Sequence, residues 1–573
     1  MRKIAFAALL SLAAVTAGAQ TLSDALTYSE NNYYGTARSI ALGNAVTALG
    51  GDLGTIGINP AGSAVAPYSQ FTFSPGLALL GNKAGYSVAE SMDYEGWNTT
   101  DRTKLIVPNF ASSMKFDTGS SSGVTSFTFA FAANTTSQYM NDFSGSGVNG
   151  YTSLLGSFAA GAAGYNPQDL LNRDNYINSS IPWNYLLAYR SGMISEAYDE
   201  FGNPILDEAG NHTFIGTTEG MTVNGDGGYD IRTLGRLNQV ARVETYGSKT
   251  DIIMNAGFNV EDKFYFGFNL GFPVATYNYS EYFRETAVDR SEFPIEYADG
   301  AETYFSHATY QYSQTTDLSG VYAKAGVIWL PFDGLRLGAA VQTPTAMTIH
   351  DSWCVDGTTS FSESKYYTSE SSPLNDYSYS LKTPWRFNAG AAWTFAGRGL
   401  VSADLEVVDY KSMKYSSVDF SGDSYFAYEN AINRNFGALQ YNGRFGVEFR
   451  AIPEVAIRAG YTFKTSNQCF RYDRYGDECY AGDFIYYYDD FESGRNWLEG
   501  RKSLADVVNS YSLGFGYSSE GSFFADVAFR LTSYPTEYYS PYSDYITGGS
   551  DYLPEVASTR NVTDMVLTLG WRF

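Results

Sequence analysis

"NVTDMVLTLGWRF", residues 561–573, closes the sequence and alternates with a period of two. Met565, Leu567, Leu569 and Trp571 fall on one face, and Val566, Thr568, Gly570 and Arg572 on the other. A strand sends successive side chains to opposite faces, so this segment reads as a strand with one strongly apolar side and one small or polar side. The pattern recurs upstream. In "DKFYFGFNLGF" (262–272) Phe264, Phe266, Phe268, Leu270 and Phe272 oppose Tyr265, Gly267, Asn269 and Gly271. "GLVSADLEVV" (399–408), "YNGRFGVEFR" (441–450) and "GSFFADVAFRL" (521–531) repeat it, with charges on the second face.

Two architectures use such strands. In a soluble sandwich the apolar face is buried and the charged face meets water. In a membrane barrel the apolar face meets lipid and the charged face lines the lumen. Link lengths decide between them. Strands fit near 68–81, 104–117, 124–138, 237–258, 263–283, 308–330, 335–347, 378–395, 399–415, 441–451, 454–464, 508–517, 522–534 and 560–573. The links alternate strictly: short ones such as "DTGSSSG", "NVEDK", "PFDG", "AGRG", "AIPE" and "SSEG", then long ones, the longest over 139–236. An even strand number with short turns at one end and long loops at the other is the pattern of an outer-membrane barrel. The fold expected is therefore all-β: a 14-stranded antiparallel transmembrane β-barrel over 68–573. Both termini come out periplasmic, with Trp329, Trp393, Tyr517, Trp571 and Phe573 in the periplasmic aromatic girdle and the long loops at the cell surface.

Composition agrees with this reading. The 573 residues include 48 Tyr, 38 Phe and 57 Gly, rich in strand formers and in turn punctuation. Arg2 and Lys3, an apolar stretch from Ile4 to Val15 and Ala17-Gly18-Ala19 read as a signal peptide over 1–19. That stretch is too short to span a bilayer, and no later apolar run of about eighteen residues occurs. Gln20 rather than Cys follows, so no lipid anchor is indicated. The net charge of −24 falls to −26 when Arg2 and Lys3 leave with the signal, which disfavours nucleic acid as a partner. The three cysteines lie outside the expected strands; Cys469 and Cys479 are close enough in one loop for a disulfide, leaving Cys354 over.

No catalytic or metal constellation is legible, so an enzyme, a metal and a cofactor are not expected. His212, His307 and His350 are scattered over loops or loop margins, outside any motif. "VNGDGGYD" (223–230) loosely resembles a calcium loop but lacks the spacing and the closing Glu, and reads as an acidic turn. Acidic loops also offer divalent ions a bridge to anionic lipopolysaccharide.

Fourteen strands enclose more lumen than their own side chains fill, so the barrel is either open or plugged. Residues 20–67 can supply the plug. "TARSIALGNAVTALGGDLGTIGINPAGSAV" (36–65) is Ala/Gly-rich, lacks strand alternation and ends in Asn59-Pro60-Ala61-Gly62, where tight turns form readily. Taken alone, that tetrapeptide is a turn entering the first strand. Alternation puts Arg336, Arg386, Asp404, Glu406, Arg444, Glu448, Arg450, Arg458, Asp526 and Arg530 in the lumen, where inward charges mostly pair with one another and with a plug.

The stretch "YYGTARSIALGNAVTALGGDLGTIGINPAG" (33–62) resembles the hatch of the FadL/TodX family of outer-membrane transporters of hydrophobic compounds, especially its Bacteroidetes members. "LKTPWRFNAGAAWTF" (381–395), "RFGVEFRAIPEVAIRAGYTF" (444–463) and "SYSLGFGYSSEGSFFADVAFRL" (510–531) are similar to its later strands. The loop over 139–236 matches nothing in it. The terminal Phe573 resembles the signature read by the barrel assembly machinery. The resemblance implies passive transport of long-chain fatty acids or similar lipids. An apolar ligand would leave lipopolysaccharide for the upper lumen and exit sideways into the membrane when the hatch shifts. Asn59, Pro60, Ala61 and Gly62 are then the gating residues. Ala132, Ala133 and Asn134, where alternation lapses in the third strand "VTSFTFAFAANTTSQ" (124–138), mark the lateral opening, and Arg386, Arg444 and Arg458 are candidate head-group contacts. Two other readings stand beside it: a FadL-like barrel acting as a secretion or surface-interaction scaffold, and an open porin if the hatch lies outside the lumen.

Overall fold

The computed structural model describes residues 21–88, 94–207, 209–223, 229–296, 300, 302–363, 366–395, 398–418, 425–486, 488, 498–545 and 552–573. The signal segment 1–19 lies outside the described residues. Fourteen antiparallel strands form one closed wall. They are β1 (Gln70–Val88), β2 (Glu95–Asp117), β3 (Val124–Asn149), β4 (Leu237–Val260), β5 (Phe264–Ala287), β6 (Glu302–Phe332) and β7 (Leu335–Gln342 continued by Ala346–Phe361). The round is completed by β8 (Asn375–Lys382, Arg386–Phe395), β9 (Gly399–Asp409, Lys414–Ser417), β10 (Leu439–Ile452), β11 (Val455–Thr465), β12 (Val507–Ser518), β13 (Phe523–Ser533, Glu537–Tyr539) and β14 (Pro554–Arg572).

Each strand pairs with the next, and β14 closes on β1 with Arg572 opposite Gln70 and Pro554 opposite Val88. Ser69 and Phe573 exchange backbone hydrogen bonds of 3.0 and 3.1 Å just beyond this seam. Closure removes edges, which is what hydrocarbon demands of a backbone that cannot turn to water for partners.

The large apolar side chains point outward. Phe264, Phe266, Phe268, Leu270 and Val274 on β5 are exposed, as are Phe445, Val447 and Phe449 on β10 and Leu567 and Trp571 on β14. The sandwich reading, which needs these rows turned inward, is excluded. The band has a definite top. On β4 to β7 its last apolar row holds Ile252 beside Phe272 and Val321 beside Ala346. The next rows are Thr250, Val274, Ser319 and Thr348, then Ser248, Thr276, Asp317 and His350. Trp329, Phe332, Trp393, Tyr517 and Trp571 lie exposed at the short-turn end.

Above the band the strands run on further than periodicity suggests. β3 continues to Asn149, so the long loop begins at residue 150 rather than 139, and β7 continues to Phe361 rather than stopping near 347. There both faces of the wall are polar or aromatic, so the apolar/polar contrast that marks a membrane strand disappears while the ladder persists. For the same reason His307, His350 and Cys354 sit within strands, not in loops.

The Cys469–Cys479 disulfide is not formed, and all three cysteines are free thiols. Cys469 and Cys479 lie on paired short strands whose register sets Arg471 opposite Cys479, leaving the sulfurs out of position. Burial pushes the Cys479 thiol up to about 12. Residues 224–228 of the acidic turn fall outside the described residues; its flanks form the hairpin Glu219–Val223 with Tyr229–Thr233.

Charge on the lipid face should cost according to height. Phe268→Arg, mid-band, is expected to destabilise the barrel by about 2–4 kcal/mol, and Thr315→Arg, above it, by no more than about 1 kcal/mol. Urea titration of vesicle-reconstituted protein measures both.

Candidate functional site

Residues 21–66 lie inside the barrel and are almost wholly buried. They form α1 (Leu22–Ser29), α2 (Ala37–Ala41) and two 3-10 turns, Leu53–Gly57 and Pro60–Val65. Each begins on a side-chain cap suited to a short helix: Thr21 with Asp24 as a capping box, Thr36, Asp52 and Asn59. Such pieces are too short to hold their own shape. The wall holds it for them.

Asn59 spends its whole amide on this. Its Oδ1 accepts from the Ala61 N–H at 3.1 Å, and its Nδ2 donates to the Thr47 carbonyl at 2.7 Å and to the Val327 carbonyl of β6 at 3.1 Å. The Pro60 carbonyl accepts from Asn255 Nδ2 at 2.9 Å. The wall approaches closely here because it has no side chain to interpose: a Cβ on Gly326 would meet Asn59 Oδ1 at 2.0 Å, and one on Gly267 would meet the Pro60 carbonyl carbon at 2.1 Å. Further around, Lys324 Nζ donates to the Gly57 carbonyl at 2.5 Å, Arg336 to Leu49 at 2.8 Å, and the Thr47 N–H to Asp404 at 2.7 Å.

The inward charges form separate clusters of buried ion pairs. Arg386 and Arg444 converge on Glu406, which also accepts from the Tyr33 hydroxyl at 2.8 Å. Arg38 of the plug and Arg458 share Glu448 at 3.2 and 2.7 Å, and Arg458 continues to Asp526. Arg530 pairs with Asp564 at 2.8 Å. Arg386 also donates to the Ser29 carbonyl of the plug. Of the three arginines proposed as head-group contacts, Arg386 and Arg444 are brought together on Glu406, whereas Arg458 belongs to a separate cluster with Glu448 and Asp526; all three are committed to carboxylates.

Among the described residues the pairing is interrupted over a long stretch between β2 and β3. The β2–β3 ladder ends at Asn109 opposite Asn134; above it, β2 keeps only β1 and β3 keeps only β4. The β3–β4 register slips between Thr135 and Ser137, directly after Ala132-Ala133-Asn134. Ala132 and Ala133 are themselves in regular register on both sides. The break falls at the upper limit of the apolar band, where Leu105 and Val107 on the unpaired edge of β2 are 83% and 52% exposed.

Behind this gap stands the plug. The Asn32 and Tyr34 N–H groups donate to the Thr136 and Thr135 carbonyls at 2.7 and 3.0 Å, and Lys249 Nζ donates to the Tyr28 and Glu30 carbonyls at 2.7 and 2.6 Å. Tyr33, between the two donors, has φ of 36°, a left-handed conformation unfavourable for a bulky residue. It is held by Glu406 and by the Arg444 guanidinium 4.9 Å over its ring. An apolar cluster of Tyr34, Leu80, Ile106, Met140 and Val562 backs the same stretch of wall. Lys104 spans the gap, donating to Gln138 at 2.9 Å and to the Gly247 carbonyl at 2.7 Å. A concavity of about 40 Å³ lies on the plug's other side, between Asn32–Tyr34 and Arg444, Lys464, Arg530 and Tyr534.

The long loop closes the other end. Its helices α3 (Leu154–Ala162), α4 (Pro167–Leu171), α5 (Asn175–Asn178) and α6 (Trp183–Arg190) pack Leu155, Phe158, Leu186 and Leu187 against Phe283, Phe305, Tyr310 and Trp353 of the wall. Glu285 pins the loop, accepting from Ser153 Oγ at 2.6 Å and the Leu154 N–H at 2.8 Å. Nearby Glu219 accepts from the Gly216 N–H at 3.0 Å, and burial pushes its carboxyl up to about 7.

Sequence reasoning missed the latch at Asn32, Tyr34, Thr135 and Thr136, whose contacts are backbone to backbone. It also missed Lys249 and Lys324, which alternation alone would have put in the lumen.

No protein-family profile matches the chain, and no curated protein sequence matches it. Among solved structures the chain is similar to a Pseudomonas aeruginosa FadL homologue at 10% identity, covering 95% of this chain and 98% of that one with a TM-score of 0.47. The Ralstonia pickettii toluene transporter TbuX is similar at 13% identity, covering 95% and 99% with a TM-score of 0.41. For the Pseudomonas putida toluene transporter TodX the values are 10%, 95%, 100% and 0.43.

Two outcomes follow from this geometry. Glu406→Gln strands two buried guanidinium groups and should destabilise by about 3–5 kcal/mol, read as a lowered urea midpoint. Glu219 is stabilising while protonated, so the cap is firmest below about pH 4.5 and loosens as pH rises through about 7. Protection factors across α3, exchange rates corrected for base catalysis, should therefore fall from pH 5 to pH 8, and Glu219→Gln should flatten that dependence.

Proposed function

We propose that this barrel passes hydrophobic small molecules, long-chain fatty acids or similar lipids, across the outer membrane by passive diffusion, releasing them sideways through the gap between β2 and β3 when the plug shifts. One observation carries this reading: the plug's Asn32 and Tyr34 N–H groups take the carbonyls of β3 at the point where β3 leaves β2. Plug position and wall continuity are therefore the same variable. Each such hydrogen bond contributes about 0.5–1.5 kcal/mol net, and Tyr33 adds about 1–3 kcal/mol of backbone strain that opposes the latched state, so a bound ligand needs only modest differential affinity to release it.

The described state is the closed one. The cap packs its own apolar side chains where cargo would enter, and Tyr34, Leu80, Ile106 and Met140 wait behind the gap. An apolar cargo moving from this cluster into the bilayer never meets bulk water, whose cost is about 25 cal/mol per Å² of apolar surface. Asn59, Pro60, Ala61 and Gly62 serve as the anchor about which the plug turns. Arg386, Arg444 and Arg458 hold the lumen together; a cargo carboxylate would have to displace Glu406 or Glu448 to reach them.

In this reading the chain is non-catalytic, with both termini on the periplasmic side and the cap at the cell surface. Outer-leaflet lipid and lipopolysaccharide surround it, and the barrel assembly machinery inserts it. The packed cap also favours a second reading, a scaffold for secretion or surface attachment that transports nothing.

A disulfide lock separates the two. Tyr34→Cys with Thr135→Cys, in a Cys354→Ser background, should when oxidised reduce liposome uptake of labelled fatty acid at least tenfold, with recovery on reduction. Uptake indifferent to the lock would refute plug gating, and a parent protein that takes up nothing would favour the scaffold.

A further inference from the structure

The outer wall carries a feature that lateral transport does not use. Where β4 to β7 rise out of the apolar band they form an outward concavity of about 610 Å³, lined by Ser248, Thr250, Thr276, Asp317, Ser319 and His350 among others. Gly247 makes the indentation possible. Its φ is 140°, and a Cβ there would sit 2.0 Å from the Thr276 carbonyl oxygen, so β4 bends inward at a position closed to any other residue.

The lining changes character one row above lipid. Val274, Ser319 and Thr348 lie side by side, and the next row sets Ser248, Thr276, Asp317 and His350 beside one another. Asp317 accepts from Thr276 Oγ1 at 2.6 Å, and His350 Nδ1 lies 3.1 Å from Ser378 Oγ. The row below, with Ile252, Phe272 and Val321, faces acyl chains. A molecule seated here therefore has its apolar part in the bilayer and its polar part among hydroxyls.

We infer that this concavity docks the uncharged, hydroxylated sugar headgroup of an outer-leaflet glycolipid. The inference rests on the orientation proposed above, which puts this rim at the cell surface. Paired hydroxyl and carboxylate groups suit a sugar, which offers both donors and acceptors at short spacing. A phosphate headgroup is disfavoured, because Asp317 faces the site, Asp376 lies 3.8 Å from His350, and no arginine or lysine side chain belongs to the lining. The volume is in the range of small-molecule sites, about 300–1,000 Å³. Exposed Tyr246, in the row above beside Asn278, supplies an apolar face at the upper margin.

The test uses full-length protein in nanodiscs of phosphatidylethanolamine with an uncharged diglucosyl diacylglycerol, followed by detergent exchange and mass spectrometry of the lipid retained. The parent should hold the glycolipid. Thr276→Trp with Ser319→Trp, which fills the concavity from outside the plug and lumen, should lower retention at least fivefold. Thr563→Trp, the first polar outward position above the band on β14, should not. Equal retention by the filled variant, equal loss in the β14 control, or retention of phosphatidylethanolamine in place of the glycolipid would each overturn the site. The free disaccharide should bind more weakly than the intact glycolipid; equal binding would overturn the lipid-anchored mode. Fatty-acid uptake by the same variants should match the parent, so a chain that transports nothing yet retains glycolipid refutes the transport reading alone. Ser319→Cys in a Cys354→Ser background should react with an impermeant maleimide on intact cells, and failure there refutes the orientation and the site with it.

Discussion

A polypeptide backbone in hydrocarbon has no water to bond with, and that prohibition organises this molecule. Closure of β14 on β1 satisfies it around the wall, and the alternation of Phe, Leu and Trp with small or charged residues follows from having lipid on one side only. Where the rule is relaxed, between β2 and β3, the relaxation begins at the top of the apolar band, and the freed carbonyls of Thr135 and Thr136 take N–H groups from within the lumen. The exception is satisfied locally, by the plug.

The interior is an unusual environment for charge. Arg444 and Glu406 are almost fully buried, yet neither is isolated, because each is shared by more than one partner and by a tyrosine hydroxyl or ring. Removing ions from water is costly unless every lone pair and proton finds a partner, and a network does this better than a single pair. Plug backbone supplies the remaining acceptors at Ser29, Leu49 and Gly57. Wall and plug therefore share one electrostatic unit, and neither is complete alone.

Much of the fold was legible in the sequence. The band strands were, because lipid outside and a packed lumen inside impose a contrast at every step, as in Phe264 to Phe272. The alternation of short and long links gave strand number and sense. What failed failed for physical reasons. Above the membrane, β3 and β7 lose the contrast because water replaces lipid, so their ends at Asn149 and Phe361 left no trace. The cysteine spacing spoke of proximity and not of register. Of the site, the inward arginines were found by parity, whereas the Asn32–Tyr34 latch was invisible because main-chain contacts have no side-chain signature. The helices of the cap were hidden as well, since their apolar residues pack within one loop without strand periodicity.

The seam between β1 and β14 has one more implication. It unites the beginning and the end of the barrel sequence, so the wall stays an open sheet until the final strand is made. Arg530 finds its carboxylate, Asp564, on that same strand, and the Ala37 N–H finds Thr568 there. The strand that seals the cylinder thus also supplies a contact to the plug. A sheet lacking its last member leaves the Arg530 guanidinium without its carboxylate and the margins of β1 and β13 uncovered.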